Sequence, residues 1–552
     1  MIYRCPSRAV AFPFHMTNVA SKIRWSWCLL ALILLSSLLL RFHNLSDLQL
    51  WLDETDFYNE AVYGDPPKGL IQHAFDTEQA TTNTLGWPAF IWITARSVGH
   101  GVAGARSASA LLGTLLIPAV FFIVLTTLPS DYVHRGTAAV AASALAMVSI
   151  SQMELSQRIY AYGGVGILAA AIVLSHQRLM AVLRKPVLAT GDGFAWVLFA
   201  IAASAGVALH PSLGLLVAGS FTVSYLLLLR RLLGKDRATA YLPVALNMLA
   251  TLATGLMALL NIKNPIYGYR IYLEQYYPPL DADVLGALGY RFYDLLTYHL
   301  NPFWDPNLYW PLALNPALLP LVGLCGAGWI ISASGRRGAA AREIAWLAAI
   351  AIVLTAVLSL ARFFPFGGVR QTVFLAPFVF AFAGVGVAWL WERKWTRYPT
   401  AAIAVAYLLV WATSLPSFYD DRQKQVHPAE LIDMWEHNGK SPIYVTGGGE
   451  RAVRYDLRSR PDIPVSGIED LETTPPDVNE FLLVSLMWPI EKDQWNKEFV
   501  ANLHAHGFKA EPLMERPAAH FESWEFPTSI YFPPNGAWVY KISPRSEKEL
   551  PE

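Results

Sequence analysis

Apolar runs recur along most of the chain, at roughly 25–42, 106–128, 137–153, 160–178, 194–210, 212–230, 240–262, 311–333, 343–361, 371–391 and 398–416. Each is near the length that crosses about 30 Å of hydrocarbon, so the pattern predicts about eleven transmembrane helices. A further run, Leu85 to Gly99, is interrupted by Arg96 and reads as an amphipathic helix lying on the outer face. From about Ser417 the long runs stop. Pro428 to His437 and Glu491 to His506 then read as helices, and Ile443 to Val445, Phe481 to Leu486 and Ala537 to Ile542 as strands. Residues 417–552 are therefore expected to form a small α/β domain outside the membrane. Gly447-Gly448-Gly449 follows a predicted strand but lacks the spacing and lysine of a phosphate loop, and is read as a turn.

Charge changes the picture by its placement. Lys+Arg and Asp+Glu are both 42, and only 15% of residues are charged against 54% hydrophobic. No basic patch with interleaved aromatics indicates a nucleic-acid partner; the surrounding partner is the lipid bilayer. Basic residues occupy every second connection: Arg4, Arg8, Lys22 and Arg24 before the first run, then Arg135, then Arg178, Arg184 and Lys185. The series continues with Arg230, Arg231, Lys235 and Arg237, then Arg336, Arg337 and Arg342, and finally Arg393, Lys394 and Arg397. This alternation puts residues 1–24 in the cytoplasm, the domain 25–416 in the membrane and the C-terminal domain outside. The first run reads as an uncleaved span, since no convincing small-residue cleavage site precedes Arg41. The three cysteines, Cys5, Cys28 and Cys325, offer neither a disulfide pair nor a metal-ligand spacing.

With that orientation, polar residues converge on the outer face. The connection 43–105 carries Asp53, Glu54, Asp56 and Glu60, and 263–310 is rich in tyrosine and proline. Loops of this length are usually functional, and aromatics argue against disorder, so short interfacial helices over the bundle are expected. Glu154, Gln157, Arg158 and Tyr160 fall in one tight outer turn, His210-Pro211 in another, and Arg362 and Arg370 flank Phe363-Phe364-Pro365-Phe366-Gly367-Gly368. Ionisable groups near membrane depth are costly and usually line a cavity or pair with one another.

Trp51-Leu52-Asp53-Glu54, just after the first run, resembles the Trp-x-Asp-Glu signature in the first outer loop of bacterial relatives of protein O-mannosyltransferases and aminoarabinose transferases. Ala105-Arg106 followed by Ser109-Ala110-Leu111-Leu112-Gly113 is similar to that family's opening of its second span. Arg158-Ile159-Tyr160-Ala161 keeps its Arg-x-Tyr core, with Ser156 replacing an acidic residue, and Arg370 to Val387 with Pro377 resembles its Arg-Tyr…Pro region. Asn83-Thr84-Leu85-Gly86 stands where many relatives have His-Pro-Pro-Leu, so no role carries over there.

The resemblance implies an all-α polytopic membrane bundle of the C-type glycosyltransferase fold. It implies a multi-pass protein of a bacterial inner membrane that moves a sugar from a polyprenyl-phosphate carrier to an extracytoplasmic glycan, lipid or protein acceptor. Such displacement at the anomeric carbon, inverting its configuration, needs a base for the acceptor hydroxyl and cations for the departing phosphate. Asp53 is expected as the base, with Glu54 orienting the acceptor or binding a basic partner. Arg158, Tyr160, Arg370, His210 and Arg106 are the expected substrate-binding residues. For three of these a structural role is open beside the functional one: an ion pair of Arg158 with Glu154, a snorkelling Arg370, and a His210 that only satisfies a span end. The tyrosines of 263–310 either stack on sugar or anchor at the interface. No cofactor is indicated; the outer carboxylates offer ligands to a divalent metal, but one Asp-Glu pair is not a ligand set. The alternatives are a lipid or glycan transporter (flippase), which would favour inverted repeats and broken midplane helices, and a polysaccharide polymerase or ligase, with its key residues in a later loop.

Overall fold

The computed structural model describes residues 16–46, 48, 54, 86–99, 101–185, 187–189, 191–234, 237–261, 277–278, 283–303, 316–420, 428–446, 453–454, 457, 459–468, 480–487, 501, 503–505, 507–516 and 536–544. Helices α1 (Met16–Phe42), α2 (Gly86–Val98), α3 (Val102–Thr127), α4 (Arg135–Val148), α5 (Ile150–Ser156), α6 (Tyr162–Leu183), α7 (Phe194–Leu209), α8 (Leu213–Leu232) and α9 (Arg237–Asn261) come first. They are followed by α10 (Val284–Leu300), α11 (Leu319–Ala333), α12 (Ala339–Leu360), α13 (Ala376–Trp391), α14 (Lys394–Asp420) and α15 (Pro428–His437).

Each predicted apolar run coincides with a helix. Among the described residues, eight helices are long and apolar enough to cross a membrane, or nine if the bent pair α4–α5 is one span, while α7 and α11 are apolar but shorter. The 61° bend between α4 and α5 falls at Ser149, whose extended backbone (ψ 114°) interrupts the helix. The amide freed by the break is not orphaned: Ile150 N–H donates to Asn301 O at 3.0 Å, and Ser151 Oγ donates to Tyr298 O at 2.9 Å. The end of α10 thus braces the start of α5.

The bundle is organised around α13. In the span Arg370–Trp391 that contains it, 83% of the apolar window is buried, against 11% in Lys394–Asp420 at the periphery. Small residues bring its neighbours close. A Cβ on Gly328 would meet Phe382 O at 1.8 Å, one on Gly386 would meet Leu324 O at 2.1 Å, and one on Gly384 would meet Ala138 O at 2.4 Å. Backbone-to-backbone approach of this kind is how helices pack tightly in lipid, where apolar side chains gain nothing by leaving the solvent. Helix α2 is where the interrupted run 85–99 predicts one. Its buried stripe Trp87, Ile91, Ala95 recurs every fourth residue, while Ile93 and Val98 are exposed.

The C-terminal domain holds a five-stranded sheet in the order β2-β1-β3-β5-β4. Its strands are β1 (Ile443–Thr446), β2 (Val465–Ile468), β3 (Phe481–Met487), β4 (Phe508–Arg516) and β5 (Gly536–Pro544). β1 pairs in parallel with β2 and β3, and β5 is antiparallel to β3 and β4. Leu482 and Val484 pack on the α15 side and Phe481 and Leu483 on the other, so a strand covered on both faces reads as a continuous apolar run. The two strands absent from the sequence expectation, β2 and β4, are the sheet's edges. β4 contains Pro512 beside an irregularity in its pairing, a residue that argues against a strand unless it lies at an edge. Of the predicted helix 491–506, residues 501 and 503–505 are helical; its remainder and Gly447-Gly448-Gly449 lie outside the described residues.

Candidate functional site

The site is built around the turn Gln157 to Ala161 between α5 and α6. Glu54, with no exposed surface, reaches this turn from the connection that follows α1: its Oε1 accepts Ile159 N–H at 2.7 Å, and its Oε2 accepts from Arg158 Nη1 at 3.1 Å. Arg106, also fully buried, clamps the same carboxylate with Nη2 at 3.0 Å and Nε at 3.3 Å. Its Nη1 donates to Leu45 O at 2.9 Å and Leu48 O at 3.0 Å, holding the chain that leaves α1. Arg158 Nη2 donates to Glu154 Oε1 at 3.4 Å. Burial disfavours the Arg158 charge, yet Glu54 and Glu154 more than offset it and hold the guanidinium above its ordinary value.

The spacing of the α3 motif now has a physical reason. Arg106, Ser109 and Gly113 are three and four residues apart, hence on one helix face, and that face meets the turn. Ser109 Oγ donates to Tyr160 O at 3.4 Å, and a Cβ on Gly113 would stand 2.4 Å from Ser156 Cβ. Two further side chains fasten the turn: Trp87 Nε1 donates to Ile159 O at 2.9 Å, and Gln157 Nε2 donates to Leu40 O at 3.1 Å.

A second cluster begins one residue later. Tyr160 and Tyr162 present their rings to Arg370, whose guanidinium carbon lies 5.0 Å and 5.5 Å from the ring centres. His210 stands edge-on to Tyr162 at 4.8 Å. Its Nδ1 accepts Ser212 N–H at 3.2 Å and lies 2.7 Å from Ser212 Oγ. Burial, reinforced by the Arg370 charge, pushes its pKa down to about 3, so the ring is neutral at physiological pH.

Beside this cluster lies an apolar cavity of about 650 Å³ between α7, α8, α9 and the end of α12. Its lining includes Pro211, the residue after His210, and Phe363 and Phe364 on the segment leading to Arg370. The cavity and the Arg370 cluster are thus linked through Pro211, next in the chain to His210.

Of the residues expected from sequence, Glu54, Arg106 and Arg158 come together in one cluster and Tyr160, His210 and Arg370 in the other, joined through the turn. Asp53 lies outside the described residues, adjacent in the chain to Glu54, and Tyr267 to Tyr276 lie outside them as well. Trp87 and Tyr162 were not among the expected site residues. Tyr162 was signalled by its position two residues after Tyr160; for Trp87 no local pattern existed, because its partner is a backbone carbonyl 72 positions away. Among the described residues no three His, Cys, Asp or Glu side chains converge as a metal site.

No family model matches the chain, and no curated protein sequence matches it. Among solved structures, the chain is similar to the oligosaccharyltransferase of Archaeoglobus fulgidus in complex with Zn and sulfate, with 12% identity and a TM-score of 0.51 over 86% of this chain and 69% of that one. It is also similar to ArnT from Cupriavidus metallidurans in the apo state, with 13% identity and a TM-score of 0.48 over 94% of this chain and 98% of that one. The same ArnT bound to undecaprenyl phosphate gives a TM-score of 0.47 at 13% identity. The likeness to the oligosaccharyltransferase shows the fold. This is a multi-span membrane protein with the C-type glycosyltransferase fold and a small C-terminal sheet domain.

Proposed function

We propose that the protein is a membrane glycosyltransferase that takes a sugar from a polyprenyl-phosphate carrier and passes it to an acceptor outside the membrane. The observation that carries this reading is Arg370, set over Tyr160 and Tyr162 beside His210, whose chain neighbour Pro211 lines the 650 Å³ apolar cavity. An anionic head with a long hydrocarbon tail matches both halves. The solved structure of an oligosaccharyltransferase with this fold adds to the case.

In this reading Asp53 takes the proton of the acceptor hydroxyl while its oxygen bonds to the anomeric carbon. The bond from that carbon to the carrier phosphate breaks, and the phosphate leaves with the electron pair, inverting the sugar's configuration. Arg370 holds the developing phosphate charge through its planar fork. The latch of Glu54 with Arg106 and Arg158 fixes the residue next to Asp53 against the turn that carries Tyr160, so base and phosphate ligand share one frame. The described residues do not fit a divalent-metal site, since Glu54 is held by two guanidiniums and no three His, Cys, Asp or Glu side chains converge among them.

Arg370→Lys keeps the charge but loses the two-pronged geometry. Folded protein is expected to accumulate normally, while binding of undecaprenyl phosphate in nanodiscs weakens by about tenfold, in keeping with the roughly 1.5–3 kcal/mol of a charged hydrogen bond. Wild-type affinity in the variant would remove Arg370 from the donor site.

The reading needs the site on the outer face. The alternating basic connections support a cytoplasmic N-terminus and a periplasmic C-terminal domain beginning near 417. Reporter fusions after Ser334 and Lys394 are expected to read cytoplasmic, and those after Asp281 and Asp421 external. An external signal at Lys394 would reverse the active face.

A further inference from the structure

Arg370 sits at the end of a segment that is held from one side by a residue no part of the mechanism has used. The chain leaves α12 with Arg362 at φ 57° and passes Gly367 at φ 135°, a conformation that a side chain rarely adopts, before the turn of 3₁₀ helix Arg370–Leu375. Inside this stretch Gly367 O accepts from Val369 N–H at 2.9 Å and from Thr372 Oγ1 at 2.8 Å. Those bonds shape the loop but do not tie it to the bundle.

The tie comes from α10. Asp294, with no exposed surface, accepts Gly368 N–H on Oδ2 at 2.7 Å. Its carboxylate lies flat against the glycine pair: a Cβ on Gly368 would stand 2.7 Å from Oδ1, and one on Gly367 would stand 3.2 Å from Oδ2. Only two adjacent glycines permit that approach. Arg291, one turn earlier on α10, packs against Gly367, with its Cδ 3.0 Å from the position of a Cβ there. A buried carboxylate is costly unless it is bonded or paired, and among the described residues the Gly368 amide is the hydrogen-bond donor that Asp294 meets. The cost appears in the Asp294 carboxyl itself, which burial pushes up to about 7 although the Gly368 amide and Arg291 both favour its charge.

The C-terminal end of α10, one turn beyond Asp294, is fixed as well. Tyr298 and Asn301 take the Ser151 and Ile150 donors at the head of α5, which leads directly into the Arg158 turn. One helix therefore braces both segments that meet at the Arg370 cluster: α5, before Tyr160, and the glycine loop before Arg370.

We propose that Asp294 is a positioning residue, a carboxylate latch on Gly367-Gly368 through which α10 fixes Arg370 over Tyr160 and Tyr162 and sets the affinity for the donor's phosphate. The inference rests on the reading of Arg370 as the phosphate ligand. Asp294 touches no substrate; it acts through the backbone.

The test uses full-length protein in nanodiscs, undecaprenyl phosphate as the probe, and hydrogen exchange of the segment Phe363 to Leu375. Asp294→Ala is expected to speed exchange in that segment and to weaken binding by about tenfold, the order expected for one lost charged hydrogen bond. With a competent donor the change should appear in KM, with kcat held within about threefold, because the base is on another loop. Asp294→Asn keeps an oxygen for the Gly368 amide and should retain affinity within about threefold. Gly368→Ala, which drives a methyl into the carboxylate, should reproduce the Ala phenotype without altering Asp294. Unchanged exchange and binding in Asp294→Ala, or an Asn variant as impaired as the Ala variant, would overturn the latch. If wild-type protein does not bind undecaprenyl phosphate, the donor reading and the effect on affinity both fall, while the exchange comparison still decides whether Asp294 holds the loop.

Discussion

Asp53→Asn is expected to lower turnover by about 10²–10⁴-fold, the contribution of a positioned general base, while leaving donor binding intact. Asparagine keeps the shape and hydrogen-bonding capacity of the aspartate but cannot take the acceptor's proton. The loss corresponds to roughly 3–5 kcal/mol of barrier and should leave KM for the donor close to wild type, because the proposed mechanism gives the phosphate to Arg370, on a different loop. The assay is release of sugar from a polyprenyl-phosphate donor by purified protein, with undecaprenyl phosphate binding measured in parallel. A variant that transfers sugar at the wild-type rate would remove the carboxylate mechanism, and a transporter would then be the better reading of the same cavity.

Glu54→Gln, one residue away, is expected to behave in the opposite manner and to act mainly on stability. Its carboxylate bonds to Arg106, Arg158 and the Ile159 amide in a place with no solvent. Neutralising it removes the negative charge shared by two buried guanidiniums, of which that of Arg158 also bonds to Glu154. Breaking a buried pair by removing one partner costs about 3–5 kcal/mol, whereas replacing both partners by apolar residues is often neutral. Glu54→Gln should therefore lower the unfolding temperature by several degrees or more, and Glu54→Leu combined with Arg106→Met should recover part of the loss. Equal unfolding temperatures for wild type and Glu54→Gln would show that the pairing contributes little, and Glu54 would return to the role of contacting the acceptor.

Adjacent carboxylates need not share a job. In Trp-Leu-Asp-Glu the residues look equivalent, and the expectation allowed Glu54 either to orient the acceptor or to bind a basic partner. The fold gives that carboxylate two arginines, from positions 52 and 104 residues further along the chain. Arg158 likewise had a phosphate and an ion pair open to it, and its guanidinium is found on Glu54 and Glu154.

The sequence by itself determined the membrane bundle and its helices, because a lipid environment makes long apolar segments obligatory and basic residues asymmetric between faces. It determined β1, β3 and β5 in the C-terminal domain, where burial on both faces or strict alternation leaves a local signature. It did not determine β2 and β4, which lie at the sheet's edges and tolerate glycine and proline. It also assembled a list of polar residues at helix ends, several of which the fold brings into two touching clusters. What only the tertiary structure decided is which of them pair: the latch on Glu54, the aromatic seat of Arg370 and the hold of Asp294 on Gly368 join residues far apart in sequence. Such contacts leave no periodicity in the chain, since each depends on where a packed helix happens to deliver one side chain or one backbone amide.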